Sequence, residues 1–150
     1  MNDHQTLTRE PGSFMRELFS ATPFNNHLGL ELGDVSAERL VVRFTKRTEL
    51  TLPGGPLHGG ALAAAIDVAG AYHAGVAIHQ RAAREGADTS RSTGVRTVSL
   101  NVDFLKPLTA ESYTATTTVL HAGASIVRVR AECVDDRGDL VGVASLNFAY

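Results

Sequence analysis

The sequence predicts an α+β domain in which one long helix packs against a curved antiparallel sheet of about six strands. The first observation is an almost wholly apolar, Ala-rich run at 58–78, because such a run is a strong helix former. The second is a set of alternating apolar segments joined by short turns, which favours antiparallel pairing. The predicted order is a short helix, two strands, the long helix and four strands, which is an α+β arrangement.

Before the long helix, local signals predict one short helix and two strands. Ser13 can cap a helix that runs to about Phe19, and Pro23 with the two asparagines after it is expected to end that helix. The two strands are expected at 28–35 and 39–45. Prolines and glycines make 51–56 a loop that leads directly into His58.

After the long helix, the polar stretch 80–92 is expected to be a loop or a frayed helix end. Four strands then follow, at 95–105, 111–121, 125–135 and 140–150. The chain is expected to divide into an N-terminal helical segment, 1–27, and one domain, 28–150.

Composition excludes several functional classes. A net charge of −2 argues against a nucleic-acid partner, which would favour a basic face. Cys133 is the only cysteine, so no internal disulfide forms and a reducing compartment is expected. The first residues lack the basic and apolar regions of a secretion signal, so the prediction is a cytoplasmic protein. The run 58–78 carries a charge at its centre and is rich in Ala and Gly, which argues against a membrane span.

The most informative motif is His58-Gly59-Gly60, followed after six residues by Asp67. A helix N-terminus preceded by a flexible turn presents free N–H groups to an acceptor. A carboxylate in an apolar helix is costly unless it has a use, although a solvated charge on a helix face is the plain alternative.

The spacing of this motif points to two chains. Asp67 lies eight residues after Gly59, or roughly 12 Å along a helix. The two groups can therefore meet at one small reacting group only across two antiparallel helices of different chains. One helix face is a core-facing stripe of Leu62, Ile66, Ala69, His73 and Val76. The opposite face is small and apolar rather than charged, so a second chain is expected to cover it: Gly60, Ala63, Ala64, Asp67, Ala71, Ala74 and Ile78.

The His-Gly-Gly motif, the aspartate, the long helix and the later segment NVDFLKP together resemble the hotdog-fold acyl-CoA thioesterases of the PaaI-like (phenylacetic acid degradation) group. The resemblance covers about 28–148. It implies a hotdog fold, hydrolysis of an acyl-CoA thioester, and assembly as a homodimer or a dimer of dimers.

The resemblance also implies roles for individual residues. Asp67 acts as base or nucleophile, and the Gly59 N–H polarises the carbonyl across the dimer interface. Thr97 orients the attacking water, while His58 contacts loop backbone or substrate. On the substrate side of the site it places Leu52, Gly55, Gly60 and Arg96.

Two positions depart from that family pattern. Leu52 stands where many relatives have an asparagine that positions water, and Ala124 stands where relatives often have a cation that docks the nucleotide of CoA. Other cations are candidates for the CoA phosphates: Arg81, Arg84, Arg91, Arg96 and Lys106.

The chemistry needs no cofactor and no metal. A thiolate leaves readily because its conjugate acid has a pKa of only about 8.5, so a base and an oxyanion donor suffice. His73 and His79 are six residues apart and cannot share a metal on one helix, and no cysteine pair is present. The alternative is a hotdog module that binds an acyl ligand without hydrolysing it. A hotdog dehydratase or hydratase is a third hypothesis, but no His stands at a suitable spacing from Asp67.

Overall fold

A computed structural model describes residues 11–150 of the chain. The helices are α1 (Pro11–Ala21), α2 (Pro23–Leu28) and α3 (Gly59–Glu85). The strands are β1 (Glu31–Val35), β2 (Leu40–Thr45), β3 (Arg96–Phe104), β4 (Ser112–Ala122), β5 (Ile126–Asp135) and β6 (Leu140–Ala149). Short 3-10 helices lie at Thr48–Leu50 and Thr89–Thr93. The first residues, on which the prediction of a cytoplasmic protein partly rests, lie outside the described residues, as does part of the predicted segment 1–27.

The strands form one antiparallel sheet of six strands in the order β1-β2-β4-β5-β6-β3. The inner face of this sheet packs on α3, and side chains from both build a single core that includes Leu62, Ile66, Leu146 and Phe148. The predicted α+β class, with one long helix and a curved sheet of about six strands, is confirmed. Cys133 is buried in β5.

The long helix begins where the sequence predicted and ends later. Its last residue is Glu85, so of the two alternatives predicted for 80–92 the helix end is correct for 80–85 and the loop is not. The ion pair between Arg81 and Glu85, four residues apart, supports this last part, and Gly86 ends the helix in a left-handed conformation with φ 64°. A short 3-10 helix follows instead of a plain loop.

A second difference lies before the sheet. Pro23 was expected to end a helix, but it begins α2, because a proline at the first helical position costs no hydrogen bond. Gly29 ends α2 with φ 68°, so the first strand begins at Glu31 rather than at Leu28.

The two faces of α3 differ in how well they were predicted. The core-facing stripe is confirmed, since all five of its residues are buried. The prediction that a second chain covers the whole opposite face is wrong for its later part. Ala74 and Ile78 are already buried within this chain, and Met15 of α1 and Ser92 of the 3-10 helix pack against the neighbouring Gly75. The first part of that face, from Gly60 to Ala71, is exposed or half-buried.

By length and composition α3 is the one helix among residues 11–150 that could cross a bilayer. However, 61% of its most apolar window is buried inside the fold. This is the environment of a core helix enclosed by its own sheet, in line with the prediction from sequence.

Candidate active site on the long helix

Asp67 and Thr97 lie together, at the two positions for which the resemblance implied a shared role. Asp67 is half-buried on the open part of α3, and the Thr97 hydroxyl on β3 donates a hydrogen bond of 2.8 Å to its Oδ1. Among residues 11–150 no hydrogen bond is made to Oδ2 of the same carboxylate. One oxygen is therefore held in place while the other can accept a proton.

An irregularity in β3 turns Thr97 towards the helix. Thr97 pairs with Phe148 and Ser99 pairs with Asn147, so Val98 is an extra residue in the ladder between β3 and β6. Because successive strand residues point to opposite faces, an unbroken β3 that kept Leu100 facing inward would direct Thr97 outward. A bulge at Val98 lets both residues face inward, which is how bulges re-aim side chains next to active sites.

The surroundings of Asp67 change its acidity. Burial raises the pKa of the Asp67 carboxyl above its usual range, and the hydrogen bond from Thr97 partly opposes that change. A carboxylate with a raised pKa is a stronger base than a solvated one, and perturbed groups of this kind are concentrated at functional sites. The geometry and the acidity therefore favour a working carboxylate over a plain surface charge.

The turn before α3 presents one free N–H. The His58 side chain caps the helix, because its Nδ1 accepts a hydrogen bond of 2.8 Å from the Gly60 N–H. No residue in the part of the chain that the structure describes accepts from the Gly59 N–H. The positive end of a 27-residue helix backs this donor. The predicted oxyanion donor is therefore available, whereas the Gly60 N–H, predicted to serve the substrate, is already used.

Gly59 also allows a close approach by Phe104 of β3. A Cβ at Gly59 would lie 3.3 Å from the Phe104 ring, so a larger residue would displace that ring. The half-exposed ring thus lies beside the free N–H, on the same edge of the molecule as the open face of α3. In the sequence, Phe104 stood out only as part of the motif NVDFLKP, and its place beside Gly59 was not predicted.

The edge strand β3 carries several apolar side chains that are exposed to solvent. It pairs only with β6, and eight of its nine residues are exposed, including Val98 (60%), Leu100 (38%) and Phe104 (50%). Leu100 lies on the inner face with Leu146, yet nothing in residues 11–150 covers it fully. An open apolar edge beside an open helix face is typical of a surface that pairs with another chain.

The remaining predicted residues are exposed, and none of them forms a hydrogen bond or ion pair with Asp67 or Thr97 among residues 11–150. Leu52 and Gly55 are exposed on the loop before α3, where Gly55 has φ 98°. Arg96 pairs with Ala149 and lies on the outer face of the sheet, opposite to that of Thr97.

Several of the candidate cations for CoA phosphates have partners. Arg81 pairs with Glu85 and Lys106 with Asp139, while Arg91 lies 4.9 Å from the centre of the Tyr150 ring and donates to the Tyr150 carbonyl. Residues 11–150 contain no group of three or more His, Cys, Asp or Glu that could hold a metal ion. Burial also raises the pKa of the Cys133 thiol to about 12, which removes it as a nucleophile.

Comparison with known proteins shows the family of this chain. A family model described as the thioesterase superfamily matches residues 54–141, which include the His-Gly-Gly turn, Asp67 and Thr97. The medium/long-chain acyl-CoA thioesterase YigI of Escherichia coli K12 is 32% identical over 114 residues, which cover 73% of this chain and 74% of YigI.

Solved structures share the fold over nearly the whole chain. The PaaI protein from the phenylacetic acid degradation operon of E. coli matches with a TM-score of 0.77 and 20% identity, covering 93% of this chain and 91% of its own. A Shewanella oneidensis protein related to the thioesterase superfamily matches with a TM-score of 0.80 and 22% identity, covering 93% and 96%. These likenesses confirm the fold that the PaaI-like resemblance implied.

Proposed function

The chain belongs to the thioesterase superfamily, and we propose that it hydrolyses acyl-CoA thioesters at a site shared by two subunits. The observation that carries this proposal is the pair of Asp67 and Thr97, in which one carboxylate oxygen is held and the other is open to water. A module that only binds acyl groups has no use for a half-buried carboxylate of raised pKa.

The proposed reaction starts with a water molecule held by Asp67. The carboxylate takes a proton from this water, and the water oxygen attacks the thioester carbon. Negative charge develops on the carbonyl oxygen, where the Gly59 N–H of the other subunit donates to it. The C–S bond then breaks, and the departing sulfur takes the proton from Asp67, so that the products are a free acid and a thiol. In the alternative, Asp67 attacks the thioester carbon directly, and the C–S bond breaks to release the thiolate and leave a mixed anhydride on Asp67. Water then hydrolyses this anhydride to the free acid and restores the carboxylate; the proton released in this step goes to the thiolate.

Sharing between subunits follows from distance. Gly59 and Asp67 are separated by eight residues of one continuous helix, or roughly 12 Å. The open face of α3 and the exposed apolar edge of β3 offer a surface on which a second copy would bring its own Gly59 to this Asp67. The oligomer that we propose is therefore a homodimer at least, with a dimer of dimers as a further step.

The first experiment is hydrolysis of a panel of acyl-CoA thioesters, followed by detection of the free thiol. We expect turnover with at least one member. Binding of acyl-CoA without release of thiol would contradict the proposal and favour the non-catalytic module.

A second experiment tests whether the site is shared. Gly59→Pro removes the N–H at the first helical position, where proline is tolerated, and the extended backbone of His58 suits a following proline. Gly59→Ala is the matched control, because it adds a Cβ near Phe104 but keeps the N–H. We expect Gly59→Pro and Asp67→Asn each to be inactive alone and to recover part of the activity when the two chains are mixed and allowed to exchange subunits. No recovery in proven mixed dimers would show that both groups act within one chain.

A further inference from the structure

The first part of α3 and the strand β3 contact each other at two separate places. At one place, the Thr97 hydroxyl donates to the Asp67 carboxylate at 2.8 Å. At the other, the edge of the Phe104 ring lies against Gly59, since the three atoms closest to a Cβ at Gly59 all belong to this ring, at 3.3, 3.4 and 3.7 Å. Each chain therefore carries two half-sites, one with the carboxylate and one with the Gly59 N–H, and each combines a residue of α3 with a residue of β3.

The Phe104 ring faces the helix and is still half-exposed. Phe104 pairs with Gly142, where a Cβ would lie 3.4 Å from Leu62 of α3, so both residues are on the inner face of the sheet. Nevertheless, 50% of Phe104 is exposed. An apolar ring with an uncovered side thus lies next to an N–H that has no acceptor in the described part of the chain.

The contact between Phe104 and Gly59 decides which subunit's ring reaches the reaction. Any arrangement that brings the Gly59 N–H of one chain to the Asp67 of another also brings the Phe104 of the first chain, because the ring lies against the Cα to which the donor nitrogen is bonded. The Phe104 of the chain that holds this Asp67 lies at the other end of β3, seven residues after Thr97 and roughly 20 Å away.

We propose that Phe104 is a positioning residue for the reaction at the other subunit's Asp67, where it confines the thioester carbonyl to the Gly59 N–H and keeps water from that donor. This inference rests on the proposed thioester hydrolysis and its shared site. Water bonded to the Gly59 N–H would compete with the carbonyl oxygen, and a donor stabilises developing charge more strongly where water is excluded. The ring also presents its edge, which is the electropositive part of an aromatic side chain and suits an oxygen that becomes negative.

The first test removes the ring. Phe104→Ala should lower kcat by about 10-fold with a smaller change in KM, because the ring acts on the reacting carbonyl rather than on the rest of the substrate. Phe104→Leu keeps an apolar side chain beside the donor and should recover part of the lost rate. Leu105→Ala is the matched control, since Leu105 is equally exposed and supplies none of the atoms closest to Gly59. A folded Phe104→Ala variant with the kcat of Leu105→Ala would overturn the proposal.

Mixed dimers test which subunit the ring serves. In the first dimer, one chain carries Phe104→Ala and the other carries Asp67→Asn, so the remaining carboxylate meets an intact ring from the other chain. In the second dimer, one chain carries both changes and the other carries none, so the remaining carboxylate meets the altered residue. We expect about half the activity of the unaltered protein in the first dimer, which keeps one of two equivalent sites, and about 10-fold less in the second.

The two dimers contain the same changes, so their difference reports position rather than stability. Equal activities would show that the ring acts only through the fold, and higher activity in the second dimer would place the ring beside the carboxylate of its own chain; either result overturns the proposal. If the unaltered protein hydrolyses no thioester, the proposed function fails and this inference fails with it. If it is active and Asp67→Asn complements Gly59→Pro, but these two dimers are equally active, the shared site stands and the assignment of Phe104 alone is overturned.

Discussion

The two halves of α3 have similar small-residue composition but very different surroundings. In the first half, residues 59–71, the face away from the sheet is exposed or half-buried, and in the second half, residues 72–85, Met15 of α1 and Ser92 of the 3-10 helix pack against the helix at Gly75. One titratable group from each half illustrates the difference. Asp67 in the first half is half-buried with a single hydrogen-bond donor, whereas His73 in the second half is fully buried.

The hydrogen bonds of these two groups explain the difference in their use. The His73 ring is held at both nitrogens, by the Thr117 hydroxyl at 2.9 Å and by the Ala37 carbonyl at 3.2 Å. Asp67 keeps one oxygen without a partner in residues 11–150, and the Gly59 N–H at the start of the same half is also free. A group whose bonds are complete stabilises the fold, and a group with capacity left can act on a ligand.

The largest expected effect comes from removing the Asp67 carboxylate in the first half of α3. Asp67→Asn should lower kcat by about 10²–10⁴-fold, because the amide cannot take a proton from water. It should not lower the free energy of unfolding, since burial already disfavours the charged form. Thiol release and denaturant unfolding measure the two effects, with Asp103→Asn at an exposed position as control. Turnover near that of the unaltered protein would remove Asp67 from the mechanism.

The next effect concerns the open face itself. Ala64→Arg places a charge on the half-buried surface that we assign to the second subunit, so the protein should become monomeric and lose roughly 10²–10³-fold in kcat as the oxyanion donor is lost. Ala83→Arg is the matched control on an exposed position of the second half. Light scattering and thiol release should change together; a fully active monomer would contradict the shared site.

In the second half of α3, a substitution should lower the stability of the fold rather than the rate of hydrolysis. His73→Leu leaves the Thr117 hydroxyl and the Ala37 carbonyl without their partner and should lower the free energy of unfolding by about 1–3 kcal/mol. His121→Leu, at an exposed position, serves as the control. A variant as stable as the unaltered protein would show that this buried pair of bonds contributes nothing.

The same residue gives stability a pH dependence. Burial lowers the pKa of His73 in the folded state, whereas in the unfolded chain it titrates near 6.5. Below about pH 6.5 the unfolded chain therefore binds a proton that the folded protein does not, and the free energy of unfolding falls. His73→Leu should lose this part of the pH dependence.

A smaller effect is expected from the residue that holds the carboxylate. Thr97→Val should lower kcat roughly 10-fold, the scale of one hydrogen bond to a charged group. Because the Thr97 hydrogen bond lowers the pKa of Asp67, its loss should move the acid limb of the pH–rate profile to higher pH. Thr97→Ser should return the acid limb to its position in the unaltered protein. Thr118→Val, at an exposed position of β4, should not move it. If Thr97→Val lowers the rate but leaves the acid limb of the pH–rate profile unchanged, Thr97 has only a structural role.

The smallest effect is expected at the loop before α3. Leu52→Asn should change turnover or acyl preference by about 1 kcal/mol, the scale of one altered hydrogen bond, if the loop approaches the reacting carbonyl in the dimer. Kinetics with a panel of acyl-CoA thioesters measures it, with Leu120→Asn at another exposed position as control. Identical rates and preference would place Leu52 away from the reaction.

By itself the sequence determined the long helix, its core-facing stripe, the antiparallel strands and the spacing between the Gly59 N–H and Asp67. These features depend on periodicity and on helix rise, which neighbouring residues set by local stereochemistry and burial. The motif and its resemblance also led correctly to the thioesterase superfamily.

Tertiary structure alone decided which surfaces remain open. The bulge at Val98 turns Thr97 towards Asp67, and α1 buries one half of a helix face that looked uniform in sequence. Neither the bulge nor this packing has a local signal in the sequence. A bulge depends on the register of β3 with β6, and the burial of the helix face depends on a residue sixty positions away, since Met15 packs against Gly75. Small residues such as alanine suit a contact with the same chain or with a second chain equally well. Only the packing of α1 and the 3-10 helix distinguishes the second half of α3 from the first.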